Sequence, residues 1–401
     1  MSGAFSFNLL SIDPGTAARR GRITTSHGTI ETPAFMPVGT AGTVKGMTPE
    51  DLESLGFEIV LGNAYHLAQR PGEEVVRRLG GLHRFMGWER AVLTDSGGFQ
   101  VLSLADLRTI TDEGVTFRSH LDGSLLSMTP ERSMQIQASL GSDVVMAFDD
   151  CPALPSPRQR ILDAVRRTSL WARRSREALR EPGQALFGIV QGGDDPGLRE
   201  KSAEDITAIG FDGYAIGGVS VGESAGLSRE VVALTAPRLP RDRPRYLMGM
   251  GTPADLVEMV ALGCDLFDCV LPTRNARNGT LFTSTGRLSI KRSEFAGDPR
   301  PVDGECSCPV CRRFSRAYLR HLYVAGEILS MRLNTLHNLH QYAELMRGAR
   351  AAIEAGRYAE FLSEFRARWT DGRSGQETSR GGPRKGRAPR PGPKIAGQGI
   401  E

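Results

Sequence analysis

Long apolar runs are missing from this chain of 401 residues. The N-terminal stretch Phe7-Asn8-Leu9-Leu10 stops at Ser11 and Asp13, short of a secretory core and far below the ~20 residues of a membrane-crossing helix. That argues against the membrane classes, and a cytoplasmic protein is the expectation. Scattered cysteines are missing too. Three of the six lie between positions 306 and 311, which suits metal ligation in a reducing compartment and not a secreted disulfide framework. An excess of one charge is nearly absent: the net value is +4, and residues 371–401, with seven Lys/Arg against three acids, supply all of it. The body is therefore neutral. The tail is rich in Gly, Pro, Ser and Arg and cannot offset its ordering entropy, so it is expected to be disordered. Its cations either attract phosphates or are simply solvated.

What is present is a repeating pattern. Short β-branched runs recur at 34–38, 58–61, 91–94, 144–148, 186–190, 214–216, 245–248 and 266–270. Between them stand helix starts such as Thr48-Pro49, Ser156-Pro157, Asp195-Pro196 and Thr252-Pro253, each a capping residue before a proline tolerated in the first turn. Strands alternating with helices imply a parallel sheet, and eight units imply closure into a (β/α)₈ TIM barrel. No GxGxxG follows an early strand, which disfavours the open doubly wound alternative. From Ser96 to Thr129 the repeat is interrupted, with a hairpin expected at Leu121-Asp122-Gly123-Ser124. The expected division is a catalytic barrel with insertions over 1–275, a zinc-binding subdomain with C-terminal helices over 276–370, and the tail over 371–401.

The spacing Cys306-x-Cys308-x-x-Cys311, followed by His337-Asn338, reads as a tetrahedral metal site. Buried or redox-active thiols are the plainer reading. His321 and His340 compete with His337 for the fourth place. With all four positions filled by protein, the metal is a structural clip and leaves no place for a reacting water.

Polar residues gather at strand C-termini, the barrel face where active sites are built: Asp95, Asp149, Asp150, Gln191, Gly217, Gly218, Gly249 and Asp268. Loops following strands explain any one of these. In Leu266-Phe267-Asp268-Cys269-Val270, alternation isolates one carboxylate in an apolar strand, and such a group usually has a partner or a task. A carboxylate can attack a sugar anomeric carbon if a second group manages the proton of the departing base. Asp95, in Thr94-Asp95-Ser96-Gly97-Gly98, is the candidate for that role, with a turn or helix cap as the bland alternative. Asp149 and Asp150 fall on opposite faces, one toward the site and one bracing a loop. Bare backbone at Gln191-Gly192-Gly193 and Gly217-Gly218 suits amide recognition of a planar heterocycle. Arg274 and Arg277, directly after Asp268, are placed to grip phosphates. The eight arginines between 158 and 180 read as the solvated face of a barrel helix.

Taken together, TPAFMPVGT (32–40), TDSGGFQ (94–100), FDDC (148–151), IVQGG (189–193), IGGVSVGE (216–223), YLMGMG (246–251), FDCVLPTRNARNG (267–279) and the cysteine cluster with His337 are similar to the bacterial queuine tRNA-ribosyltransferases, or tRNA-guanine transglycosylases. The resemblance implies exchange of guanine for preQ1 at the wobble position of tRNAs with a GUN anticodon, a step in queuosine biosynthesis. It implies Asp268 as nucleophile on ribose C1′, Asp95 as general acid/base, and Asp149, Gln191, Gly218, Asp95 and Met248 around the base. It further implies one structural Zn²⁺ on Cys306, Cys308, Cys311 and His337, and a homodimer. Asp150 stands where the family commonly has Glu; Val221 and Cys151 match the bacterial form, hence preQ1 and not queuine. A barrel glycoside hydrolase and a noncatalytic tRNA-binding subunit are the rival readings.

Overall fold

The computed structural model describes residues 5–98, 108–119, 123–178 and 182–369. Phe99 and Gln100 of the TDSGGFQ run, Leu121 and Asp122 of the expected turn, Arg180, and the tail 371–401 lie outside the described residues.

Three antiparallel strands open the chain, β1 (Ser6–Ile12), β2 (Arg19–Thr25) and β3 (Gly28–Thr32). Then β4 (Ala34–Met36), β5 (Val38–Gly39), β6 (Ile59–Gly62), β7 (Ala91–Thr94), β11 (Val144–Met146), β12 (Ala185–Val190), β13 (Gly213–Ile216), β14 (Arg245–Leu247) and β15 (Leu266–Asp268) form one parallel sheet. Its order is β4-β15-β14-β13-β12-β11-β7-β6-β5. β4 and β5 are two halves of one stave: Ala34 pairs with Leu266 on one side and Val38 with Leu61 on the other. Pro37 parts them because it has no N–H for the ladder; its carbonyl still accepts from the Leu61 amide at 3.0 Å. The sheet therefore closes with eight staves, as the spacing predicts.

Every residue of β6, β7 and β12 is buried, which is why these strands read as unbroken apolar runs. Alternation nevertheless sorts them. Leu61, Leu93, Ile189, Tyr246 and Leu266 fill the lumen, whereas Val60, Val92, Val190, Leu247 and Phe267 face the helices outside. The N-terminal sheet, which the strand count does not anticipate, closes the floor: Ile23 and Ile30 join the luminal cluster, and Phe5 meets Phe187 edge-on with ring centroids 5.9 Å apart.

Three of the four proline-marked helix starts are capped by the expected side chain. Thr48 and Thr252 form capping boxes with Asp51 and Asp255, and Asp195 accepts from the Leu198 amide. The interruption after β7 is a second antiparallel sheet of β8 (Arg108–Ile110), β9 (Val115–Arg118) and β10 (Leu125–Met128), in which β9 and β10 form the expected hairpin. Beyond β15, the hairpin of β16 (Thr280–Thr283) and β17 (Gly286–Ser289) leads to the cysteine segment and to the 27-residue helix Ile328–Glu354. That helix places Leu339, Tyr342 and Met346 in the same core as Phe35 of β4. Among the described residues, no helix is long and apolar enough to cross a membrane.

Candidate active site and metal centre

Parity along the staves decides which side chains reach the mouth. Leu93, Ile189, Tyr246 and Leu266 point inward, so Asp95, Gln191, Met248 and Asp268, each two residues further on, continue the same face toward the C-terminal rim. The expected strand 266–270 ends early, at Asp268, because Val270 already precedes the first turn of the helix Leu271–Arg277. Asp149 arrives by a break in alternation. Phe148 swings outward to stack on Trp171, ring centroids 4.8 Å apart, and its neighbour takes the inward place.

Asp268 is held by one oxygen. Its Oδ1 accepts from the Tyr246 hydroxyl at 2.7 Å and from the Gly249 amide at 2.8 Å; among the described residues Oδ2 accepts no hydrogen bond. Burial pushes its pKa up, and those two donors oppose the rise. Tyr246 is itself buried, and its hydroxyl is raised well above its ordinary range by burial, then by Asp268 and more weakly by Asp95. The phenol thus stays a donor, and its hydroxyl lies within electrostatic reach of both carboxylates. Asp95 accepts from the Asn63 side-chain amide at 2.5 Å and from the Ala64 amide at 2.9 Å. Asn63 also caps the helix Ala64–Gln69 through the His66 amide, so the stave-end asparagine fixes helix and carboxylate together.

On the adjoining staves, Gln191 Nε2 donates to Asp149 Oδ2 at 2.7 Å, and the Ser96 hydroxyl approaches Asp149 Oδ1 at 3.4 Å. Burial pushes Asp149 up to about 6; the Gln191 bond opposes this and the charge of Asp150 adds to it. The buried Gln191 Oε1 accepts nothing among the described residues. Gly218 has φ +66°, and a Cβ there would stand 2.5 Å from that oxygen, so only glycine leaves the niche open. Cys151 touches Gln191 and the Gly218 backbone as a neutral thiol, pushed by burial up to about 12. Met248 packs half-buried on the luminal cluster.

Asp150 faces the other way, because the alternation resumes one residue out of step after Phe148. Arg160 Nη1 donates to it at 2.8 Å, and Arg167 pairs with it as well. The arginine-rich helix Arg158–Ala178 is thus not merely solvated, since Arg166 and Arg174 also pair with Asp112 and Glu131. Arg274 is exposed on the short helix that follows Asp268, and Arg277 is half-buried beside it. Arg277 Nη1 has no partner among the described residues, and its pKa is lowered by burial and then by the like charge of Arg274.

Cys306, Cys308, Cys311 and His337 converge. His337 Nδ1 lies 3.7, 3.5 and 3.4 Å from the three sulfurs. Four ligands around a tetrahedral ion, with ~2.3 Å bonds to sulfur and ~2.0 Å to nitrogen, stand about 3.5 Å apart across each S···N edge, so the set fits one ion. His337 Nε2 lies 2.7 Å from the Phe282 carbonyl; donating there leaves Nδ1 as the ligand. Of the three histidines only His337 groups with all three sulfurs; His340 contacts Ser307 and Glu344 and reaches only Cys306 among the sulfurs, and His321 is exposed. A second grouping, His27 and His83 on the buried Asp143, lies at the floor of the barrel. Its imidazoles stack with centroids 3.6 Å apart and planes 15° from parallel. Ring lone pairs confined to parallel planes do not meet at one ion, so this is a hydrogen-bonded cluster.

Sequence reasoning found the stave-end carboxylates, Gln191, Gly218 and the metal set. It placed Gly249 at the rim without a role, and it missed Asn63 and Tyr246. Tyr246 was within reach, because it shares parity with Met248.

Comparison with known proteins agrees with this geometry. The family model described as Queuine tRNA-ribosyltransferase matches residues 13–371. A queuine tRNA-ribosyltransferase of Dinoroseobacter shibae is 56% identical over 93% of this chain and 99% of its own length. One from Moorella thermoacetica is 55% identical over 92% of this chain and 99% of its own. With that coverage, the chain belongs to the queuine tRNA-ribosyltransferase family of transferases.

Proposed function

We propose that the protein exchanges guanine for preQ1 at the wobble position of GUN-anticodon tRNAs, through a covalent aspartyl-ribose intermediate. Asp268 Oδ2 attacks ribose C1′; the C1′–N9 bond breaks with its electron pair passing to guanine, and Asp95 gives the proton that neutralises the departing base. The second half reverses these events: preQ1 loses its ring proton to Asp95, its nitrogen attacks C1′, and the Asp268 carboxylate leaves. The ester keeps the reactivity of the bond broken, so no external energy is needed, but water must be excluded. Asp149, Gln191, Gly218 and Met248 surround the base. At neutral pH Asp149, held near 6, is mostly ionised and can accept from the purine's N–H edge. The target nucleotide leaves the anticodon stack to be reached, with Arg274 and Arg277 on flanking phosphates.

The metal is Zn²⁺, one per chain, held by Cys306, Cys308, Cys311 and His337; it shapes the RNA-facing flank and takes no part in the chemistry. A cytoplasmic homodimer is the state the resemblance implies. The division into a barrel over 1–275, a zinc subdomain over 276–370 and a basic tail is part of the same reading.

The observation that carries the reading is a carboxylate with one oxygen fixed by Tyr246 and Gly249 and the other uncommitted among the described residues, on the same inward face of the barrel rim as Asp95. In the test, protein is mixed with tRNA and labelled guanine or preQ1, then denatured. Wild type incorporates the base and yields a denaturant-resistant RNA adduct; Asp268→Ala binds tRNA and yields none. An adduct in that variant refutes the nucleophile. Ribose release without incorporation would favour a hydrolase.

A further inference from the structure

Arg199 lies in the first turn of the helix Pro196–Ile209 and is completely buried. Among the described residues its hydrogen-bond partners are all backbone carbonyls. Nε donates to Gly193 at 2.8 Å, Nη1 to Val190 at 3.2 Å and to Gly217 at 2.7 Å, and Nη2 to Gly218 at 3.1 Å. A buried cation that no carboxylate hydrogen-bonds is costly: burial lowers its pKa to about 10, with only the through-space charges of Cys151, Glu223 and Asp194 opposing. A scaffold that needed only filling would use an apolar side chain there, so the charge points to a task.

The four carbonyls belong to the two loops that carry Gln191 and Gly218. In a trans peptide the C=O and the following N–H point in opposite directions. Drawing the Gly217 carbonyl toward the guanidinium therefore turns the Gly218 N–H away from it, to the side where Cys151 and the Gln191 amide meet. A cation on that carbonyl also polarises the peptide and strengthens the N–H as a donor. On the neighbouring stave the grip on Val190 and Gly193 brackets Gln191, and the loop lies close on the helix, since a Cβ on Gly192 would stand 2.7 Å from the Arg199 backbone nitrogen.

We propose that Arg199 is a positioning residue for the base exchange: its guanidinium clamps the ends of β12 and β13 so that the Gly218 amide and the Gln191 side chain face the purine together. This rests on the reading of Gln191 and Gly218 as base-recognition groups. Lysine keeps the charge but cannot serve four carbonyls with a planar fork; glutamine removes the charge.

The experiment compares wild type, Arg199→Lys and Arg199→Gln in guanine exchange into tRNA, with guanine KM, tRNA KM and kcat measured separately and the thermal midpoint as a control. Loss of one well-aimed hydrogen bond to the base should raise guanine KM about tenfold in Arg199→Lys and more in Arg199→Gln, with tRNA KM unchanged. Unchanged guanine KM, or guanine and tRNA KM rising together with a collapsed midpoint, would overturn the proposal. So would failure of both variants to fold, which would place the residue in the scaffold alone. A wild-type control that incorporates no guanine would instead sink the underlying reading, and this inference with it.

Discussion

Replacing Tyr246 by Phe removes one hydroxyl and keeps the ring in the luminal cluster, so no cavity opens. The lost bond, 2.7 Å long, is one of two that support the Asp268 carboxylate against burial. Hydrogen bonds to a charged group contribute about 1.5–3 kcal/mol, and 1.36 kcal/mol is one pH unit, so Asp268 should ionise about one to two units higher in the variant. In the proposed mechanism only the ionised form attacks C1′. The acid limb of adduct formation should therefore move to higher pH by that amount, with activity about 10–100-fold lower on the limb and nearly restored above it. Single-turnover adduct formation at saturating tRNA, followed across pH, isolates the step from base binding and from Asp149. A pH-independent loss would mean that the hydroxyl only places the carboxylate. A profile identical to wild type would refute the claim that Asp268 is the group that must ionise.

Cys308→Ala removes a fully buried thiol of the proposed metal site. It should abolish stoichiometric metal and lower the thermal midpoint by more than about 5 °C, because binding energy at such a site is folding energy; normal metal content and midpoint would remove the clip. At the barrel floor, His83, His27 and the Val92 amide hold Asp143 down at about 2 against the opposing effect of burial. A depressed acid stabilises above its unfolded pKa and loses that contribution as pH falls through the folded one. Asp143→Asn should thus cost about 2 kcal/mol near neutral pH, with the gap from wild type in urea unfolding narrowing toward pH 3. A gap that stays constant would sink that account.

The eight staves were legible because parallel barrel strands are buried on both faces and their sequences show it directly. The mouth was legible for the same reason: parity from Leu93, Ile189 and Leu266 leads to Asp95, Gln191 and Asp268. Where alternation breaks, reading from sequence loses precision. Phe148 left its expected face for Trp171, an interaction between distant segments that no local pattern encodes. β1 to β3 were missed because they cover the floor and do not belong to the strand and helix repeat. The choice of His337 over His321 and His340 depended on three-dimensional convergence with the sulfurs. Arg199 had no sequence signal at all: among Leu198, Glu200 and Lys201 it reads as one more charged helix residue, and its destination shows only once the two glycine loops fold over it.

The helix Ile328–Glu354 is a single rod about 40 Å long. It carries His337 at the metal, Tyr342 against the Gly251 carbonyl at the rim, and Arg350 and Glu354 against Pro33 and Arg20 at the opposite end of the barrel. Gene rearrangement therefore cannot trade the cysteine segment as a cassette. A crossover upstream of this rod would strip the outer wall from the first stave as well, so the appendage and the barrel are inherited as one unit.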